Sequence, residues 1–531
     1  MPTNPQSVNR RQFLASAGAL GALGSLWLVT GCASAVGEAA NAQSAAASSG
    51  PVKGGIIKAG ISQDLIPGNF FTNSTSGITT VVGLAFDSLI RYPNDKVEPT
   101  PRLATSWEPS ADGLSLTLKL RDGVTFHDGR AFTSADVAFS IATYASPDWN
   151  GQLRSTAAAI TSVDSSDPKT AVLHFEHPLG NIFDLLDTIP IVDSGSLDKL
   201  KTGEAFVGTG PFKLTEWVPN SKLTFVKNPN YWQSDRPYVD GVDVTIISDA
   251  KALLAAVKAG QIDFANGLSN RDIETLTADG KFNAIVLEGA EQQLYVGANV
   301  SVPGLQDVPI RQAIAYAVDR DRIVTEVLRS VGYSINLPWP KYSLAYDEPA
   351  NKTYARNVDK AKQVVDGLGA IPTFPLTYIA GNPLAEATAT IVQANLAEVG
   401  ITVTLDPQDN AQFVKQLIGA QFPGLWVTIH SWAQYTPSTL TVSAYPFNAH
   451  KNASQYNSPD YIKFADAAWT QQDGSSAAAV TAYEQVSQQL LDSLFLVEIA
   501  ILLPQFTTSP RLQAVGHTKR AEVQFTDAYL A

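Results

Sequence analysis

Three observations in this 531-residue chain predict an α/β fold class. The segment 374–405 reads as strand, helix, strand. Residues 114–120 alternate strictly between apolar and polar, the mark of a half-buried strand. The length favours more than one domain. In the first of these, 374–379 is a strand. The stretch 383–399 is helical, with Ala387, Ile391, Ala394 and Leu396 apolar and Gly400 closing it, and 401–405 is the second strand. That spacing is a βαβ unit with a right-handed crossover.

At the N-terminus, Arg10 and Arg11 precede an apolar run, 13–29, and Cys32 follows as the only cysteine. A spanning helix wants ~20 strongly apolar residues. Gly18, Gly21 and Gly24 dilute this run, which suits a cleavable export signal over residues 1–31. Arg-Arg-Gln-Phe-Leu resembles the twin-arginine export motif. Leu28-Val29-Thr30-Gly31-Cys32 resembles a lipobox, at which bacterial lipoproteins are cut just before a lipidated cysteine. An uncut anchor and a secreted protein with a spare buried thiol are the other readings. A lipidated Cys32 accounts for the thiol. Burying acyl chain contributes ~0.8 kcal/mol per methylene, so one chain holds marginally and two or more hold durably. Residues 32–51 then form the lipidated cysteine and an Ala/Ser-rich tether, with an r.m.s. span of ~25 Å.

Beyond Cys32 the chain has no thiol, and its only methionine is Met1. Disulfides and cysteine- or thioether-ligated metals are thereby excluded from the body. The 37 Lys and Arg include the two in the signal, so the mature chain carries 35 against 50 Asp and Glu, a net charge near −15. With no basic tract, this argues against nucleic acid and against electrostatic adhesion to anionic lipid.

Along the body, 54–60 reads as a short strand. Strand 114–120 ends at an Arg121-Asp122-Gly123 turn, Val124 and Phe126 continue it, and Asp128-Gly129 turns again. Thr133 to Asp136 offers a capping start for a helix over 135–144. A longer amphipathic helix is expected over 309–328, where Ile310, Ala313, Ile314, Ala317 and Val318 share a core-facing stripe.

Catalytic motifs are scarce. The chain has no Gly-x-Ser-x-Gly elbow, no His-Glu-x-x-His and no phosphate loop ending in Gly-Lys-Ser/Thr. Gly208-Thr209-Gly210-Pro211 lacks a dinucleotide fingerprint's third glycine and reads as a turn. His174 and His177, three apart in a strand-like stretch, point to opposite faces and do not suit a shared metal. His430, beside Trp432 and Tyr435, reads as a polar loop residue. No cofactor and no metal site is expected.

Five stretches, in order, resemble the bacterial extracellular solute-binding protein family 5, the peptide/nickel-type receptors of ABC importers. They are LATSWEPSADGLSLTLKLRDGVTFHDGRAFTSADVAFSI from Leu103, GTGPFKLTEWVPNSKLTFVKNPNYW from Gly208, YVDGVDVTIISDAKALLAAVKAGQIDF, VPIRQAIAYAVDRDRIV with the βαβ region, and AYEQVSQQLLDSLFLVEIAILLP. Together they span nearly all of the chain after the tether. The resemblance implies a two-lobed periplasmic-binding-protein fold with an additional subdomain and a hinge between the lobes. Lobe I would take 52–82, 205–298 and 497–531, subdomain II 83–204, and lobe III 299–496. It implies an extracytoplasmic receptor, lipid-anchored on the cell membrane or in the periplasmic space. Such a receptor is expected to be a monomer, to capture a peptide-like or other small organic solute by hinge closure, and to deliver it to a permease and ATPase. An exported hydrolase, or a chemosensory or adhesion lipoprotein on the same fold, is the alternative.

In the family's peptide receptors a segment resembling Gly-Trp-x-x-Asp-Tyr-x-Asp-Pro supplies the aspartate that pairs with the peptide's ammonium. The matching stretch here is Ser431-Trp432-Ala433-Gln434-Tyr435-Thr436-Pro437, with Gln434 and Thr436 where carboxylates are expected. A buried ammonium left unpaired costs several kcal/mol, and Gln434 offers only a neutral amide. Unless another acid such as Asp409 substitutes, the ligand is expected to lack an essential free amine. Trp432 would stack on it beside Gln434 and Tyr435, with Phe70, Phe71 and Asn73 facing it from lobe I.

Overall fold

The computed structural model describes residues 50–72, 74–431 and 435–531. The expected export signal, Cys32, the expected tether up to residue 49, Asn73, Trp432 and Gln434 lie outside the described residues. Residues 51–531 form one compact unit. Among the described residues, no helix is long and apolar enough to cross a membrane.

Two large sheets carry the fold. In the first, seven strands lie in the order Asn283–Val286, Gln505–Thr508, Phe264–Asn266, Ile56–Ile61, Gly241–Ile246, Lys222–Lys227, Phe212–Val218. Its centre, Ile56–Ile61, runs parallel to both neighbours. In the second, six strands lie in the order Gly332–Ser334, Leu496–Leu502, Gln292–Ala298, Leu425–Ser431, Phe374–Ile379, Val403–Gln408. The βαβ unit is here. Phe374–Ile379 pairs parallel with Val403–Gln408 across the helix Pro383–Glu398, the second strand starting two residues later than expected. A third sheet of four strands contains Ser115–Leu120, with Leu116, Leu118 and Leu120 buried as the alternation requires. The helix Ser134–Ala145 follows, started by a reciprocal capping box between Thr133 and Asp136.

The expected helix over 309–328 is two helices, Val308–Ala317 and Arg320–Glu326. Val318 is extended, and the Asp319 carboxylate accepts the Arg322 N–H as cap of the second helix. A good N-cap ends one helix by starting another. His430 lies in a strand rather than a loop, its ring edge-on to Phe447 at 5.6 Å. Gly208 and Gly210 fit as close-approach residues. A Cβ would sit 2.1 Å from the Ala85 carbonyl at Gly208 and 2.5 Å from the Ala85 carbonyl carbon at Gly210.

Apolar burial divides into two main cores. One is shared by the seven-stranded and four-stranded sheets, with Ile57, Phe212, Leu118 and Leu173 among its members. The other surrounds the six-stranded sheet, with Leu294, Val427, Leu376 and Ile499. The chain crosses between the large sheets at 287–291 and again at 503–504. There the two crossings touch, the Leu287 N–H donating to the Pro504 carbonyl at 2.9 Å.

Candidate functional site

Between the two cores lies a cleft of about 2020 Å³. Its walls come from segments far apart in the chain: described residues within 62–75, 150–155, 217–220, 379–385, 410–418, 428–429 and 443–451 contribute. No single stretch of sequence announces such a site.

On the seven-stranded side, Asp64 is the anchor. Its Oδ1 accepts from Trp217 Nε1 at 3.0 Å and from the Leu65 N–H at 2.6 Å, and its Oδ2 accepts from the Asn220 N–H at 2.6 Å. These bonds fix the loop around 64 to the hairpin at 217–220, and the carboxylate is committed to them. Next to it the 3₁₀ segment Pro67–Thr72, kinked at Asn69, presents Asn69 and Thr72 to the cleft. The expectation that Phe70 and Phe71 face a solute is corrected. Both are buried, Phe70 against Phe86 at 5.0 Å and Phe71 against Tyr144 and Trp149 at 5.2 Å each. The segment kinks at Asn69 (φ −109°, ψ 21°), which turns the two rings into the core while Asn69 and Thr72 stay at the cleft.

On the six-stranded side, the N-terminal turns of Pro383–Glu398 and Asn410–Gly419 reach the cleft. Asn382 caps the first, its Oδ1 accepting from the Leu384 and Ala385 N–H groups at 3.1 Å each. Asp409 caps the second, accepting from the Gln412 N–H at 2.9 Å, and does not line the cleft. Phe413 packs inward while Val414 and Ile418, one turn apart, stay exposed in the cleft wall. Of the twelve large apolar side chains left exposed among the described residues, five lie there: Ile66, Val414, Ile418, Ile429 and Tyr445.

Tyr435, expected at the ligand, is 4% exposed and does not line the cleft; its ring stands edge-on to Tyr92 at 5.6 Å. The chain after it is clasped by Asp184, which accepts from the Thr436 N–H at 2.9 Å, from Thr436 Oγ1 at 2.9 Å and from Thr439 Oγ1 at 2.7 Å. Burial pushes this carboxyl up to about 6 against those bonds. Thr436 thus donates to a carboxylate at the position where a carboxylate was expected. Tyr435 was misjudged because its ring completes the first core.

The cleft's charge was also missed. Arg154, Lys415 and Lys451 line it, all exposed. Arg154 Nε donates to the Ala145 carbonyl at 3.0 Å, and neither lysine forms an ion pair among the described residues. A legible signal existed for one wall, since the helix over 410–419 carries Val414 and Ile418 off its core stripe. Among the described residues no group of three His, Cys, Asp or Glu is arranged to hold a metal. His177 Nδ1 is engaged at the Pro178 carbonyl.

Residues 98–454 match the family model of bacterial extracellular solute-binding proteins, family 5 Middle. A Brucella ovis protein named as an ABC transporter peptide-binding protein is 31% identical over 379 residues, 66% of this chain and 70% of that protein. The oligopeptide-binding protein AppA of Bacillus subtilis is 28% identical over 375 residues, 65% of this chain and 67% of that one. Its structure with a nonapeptide superposes with a TM-score of 0.77, covering 91% of this chain and 100% of that chain at 23% identity. AgaA of A. tumefaciens R10, solved with agropinic acid, gives a TM-score of 0.78 over 90% of this chain and 99% of that chain, also at 23% identity. The fold is therefore that of the two-lobed periplasmic binding proteins.

Proposed function

This chain belongs to the bacterial extracellular solute-binding proteins of family 5, and on that premise we propose that it is a lipid-anchored receptor that closes on its solute. It serves an ABC importer, binding solute outside the membrane for a permease and ATPase, and it makes or breaks no bond. Cys32 carries the anchor, the segment up to residue 51 is the tether, and the receptor works as a monomer. The seven-stranded sheet is the core of lobe I, the four-stranded sheet that of subdomain II, and the six-stranded sheet that of lobe III, so residues 292–298 and 497–502, expected in lobe I, are assigned to lobe III instead. We take the hinge to be the crossings at 287–291 and 503–504.

One observation carries the reading: a cleft of about 2020 Å³ whose walls come from both cores. Ordinary small-molecule pockets hold roughly 300–1,000 Å³, so this space suits an unclosed pair of lobes. Two short adjacent crossings suit a hinge, because few dihedrals need change. Trp432 stacks on the solute and Gln434 contributes a neutral amide, with Asn73 opposite. Asp409 is occupied as a cap, which supports a ligand without an essential free amine. The two sequence relatives are named for peptide binding and AgaA was solved with agropinic acid, and a small peptide-like or other organic solute is the class proposed here.

The test is small-angle scattering of the mature protein with and without the solute recovered from it by mass spectrometry. A smaller radius of gyration with ligand, and a ligand recovered unaltered, are expected. An unchanged radius would refute closure, and a chemically altered ligand would identify an enzyme.

A further inference from the structure

The cleft has a charge opposite to that of the chain around it. The formal net charge is −13, yet the charged side chains lining the cleft are Arg154, Lys415, Lys451 and Asp64. Asp64 is committed to three donors, from Trp217, Leu65 and Asn220. Asp406, on the strand Val403–Gln408 and not in the cleft wall, is engaged as well, accepting from Thr377 Oγ1 at 2.8 Å and Gln408 Nε2 at 2.6 Å. Positions 73 and 432–434 hold Asn, Trp, Ala and Gln, so they add no charge. Three cations therefore face the cleft, and among the described residues its wall holds no uncommitted carboxylate.

Two further features reinforce this. The positive ends of two helices of ten and sixteen residues turn toward the same wall, which adds to the potential the lysines set up. Five exposed apolar side chains share the cleft with the cations. Apolar area left in water at a concave site gains on being covered.

Resting on the receptor reading, we propose that the captured solute is a small organic anion with an apolar body. Its acidic group meets Arg154, Lys415 and Lys451, and its apolar part covers Ile66, Val414, Ile418, Ile429 and Tyr445. A cationic solute would meet three like charges and find no free acid. When the lobes close and water leaves, the charge-assisted bonds strengthen and the penalty for a mismatched charge grows. Long-range repulsion by the acidic surface slows the approach of an anion, but it is screened beyond about 8 Å at physiological salt, whereas the cleft cations act at contact.

The test uses the mature protein and four probes on one apolar body: N-acetyl-leucyl-leucine, its C-terminal amide, leucyl-leucinamide with a free amine, and the phosphonate analogue of the first. Calorimetry is expected to show the two anions binding at least about tenfold more tightly than the neutral or cationic probe, the scale of one charge-assisted contact. The ratio of carboxylate to phosphonate affinity tells which oxyanion the site prefers; either order supports the proposal. The triple variant Arg154→Gln, Lys415→Gln, Lys451→Gln should lose this preference while melting as the parent does, since all three side chains are exposed. Equal or tighter binding of the neutral or cationic probe, or a preference that survives in the triple variant, overturns the anion assignment alone. No binding by any of the four counts against the receptor reading and takes this inference with it.

Discussion

His127 shows how much one side chain's protonation can decide. Its Nδ1 accepts the Gly208 N–H at 3.3 Å, and its Nε2 faces the Gly210 carbonyl at 3.1 Å. That geometry requires the neutral ring, with Nε2–H as donor. Burial pushes the imidazole down to about 4, and nearby Lys213 adds to the effect. An unfolded histidine titrates near 6.5, so between about 4 and 6.5 the unfolded chain binds the extra proton. The stabilisation from a neutral His127 is complete above 6.5 and is lost as pH falls toward 4, roughly 3 kcal/mol across the window. Urea unfolding between pH 7 and pH 4 should show a shallower acid loss in His127→Gln than in the parent. Parallel pH profiles would show that the ring charges without cost. Phe70 and Phe71 teach the complementary lesson. Full burial of a phenylalanine contributes up to about 3 kcal/mol at all times, whereas stacking on a solute contributes only when the solute is there.

Single elements were legible where their reasons were local. The alternation at 115–120, the Thr133/Asp136 capping box and the strand–helix–strand run of 374–408 each carry their pattern within one window of sequence. The break at Val318 was hidden by the continuous apolar stripe, because a cap inside a stripe leaves the periodicity nearly intact. The cleft was not legible as a site. Arg154, Lys415 and Lys451 lie on three separate segments, and only tertiary packing gives them a common space. One element joins both themes. Asn382 satisfies two of the free N–H groups at the start of the longest helix in the cleft wall. Asn382→Ala should cost about 1 kcal/mol in chemical denaturation, and Asn382→Ser should recover most of it. If alanine is neutral there, water replaces the cap and the turn does not depend on it.

Taken whole, the molecule has a body with no membrane-crossing helix among its described residues and, in sequence, one lipidation motif. Cys32→Ala should therefore move the protein from the membrane fraction to the soluble extracytoplasmic fraction. Retention of the variant on detergent-free membranes would refute the anchor. The sheet order carries a consequence of another kind, about time. In the seven-stranded sheet, Asn283–Val286 is held only by Gln505–Thr508, which also pairs with Phe264–Asn266. Near the C-terminus, Arg520 reaches back to Asp187. A ribosome delivers residue 283 long before residue 505. Throughout that interval the edge strand has no neighbour, and the first core lacks Phe506, which only the strand Gln505–Thr508 supplies. Translation must thus pass residue 508 before this sheet can close, and an export route that accepts only folded cargo would act on the chain as a check that this strand is in place.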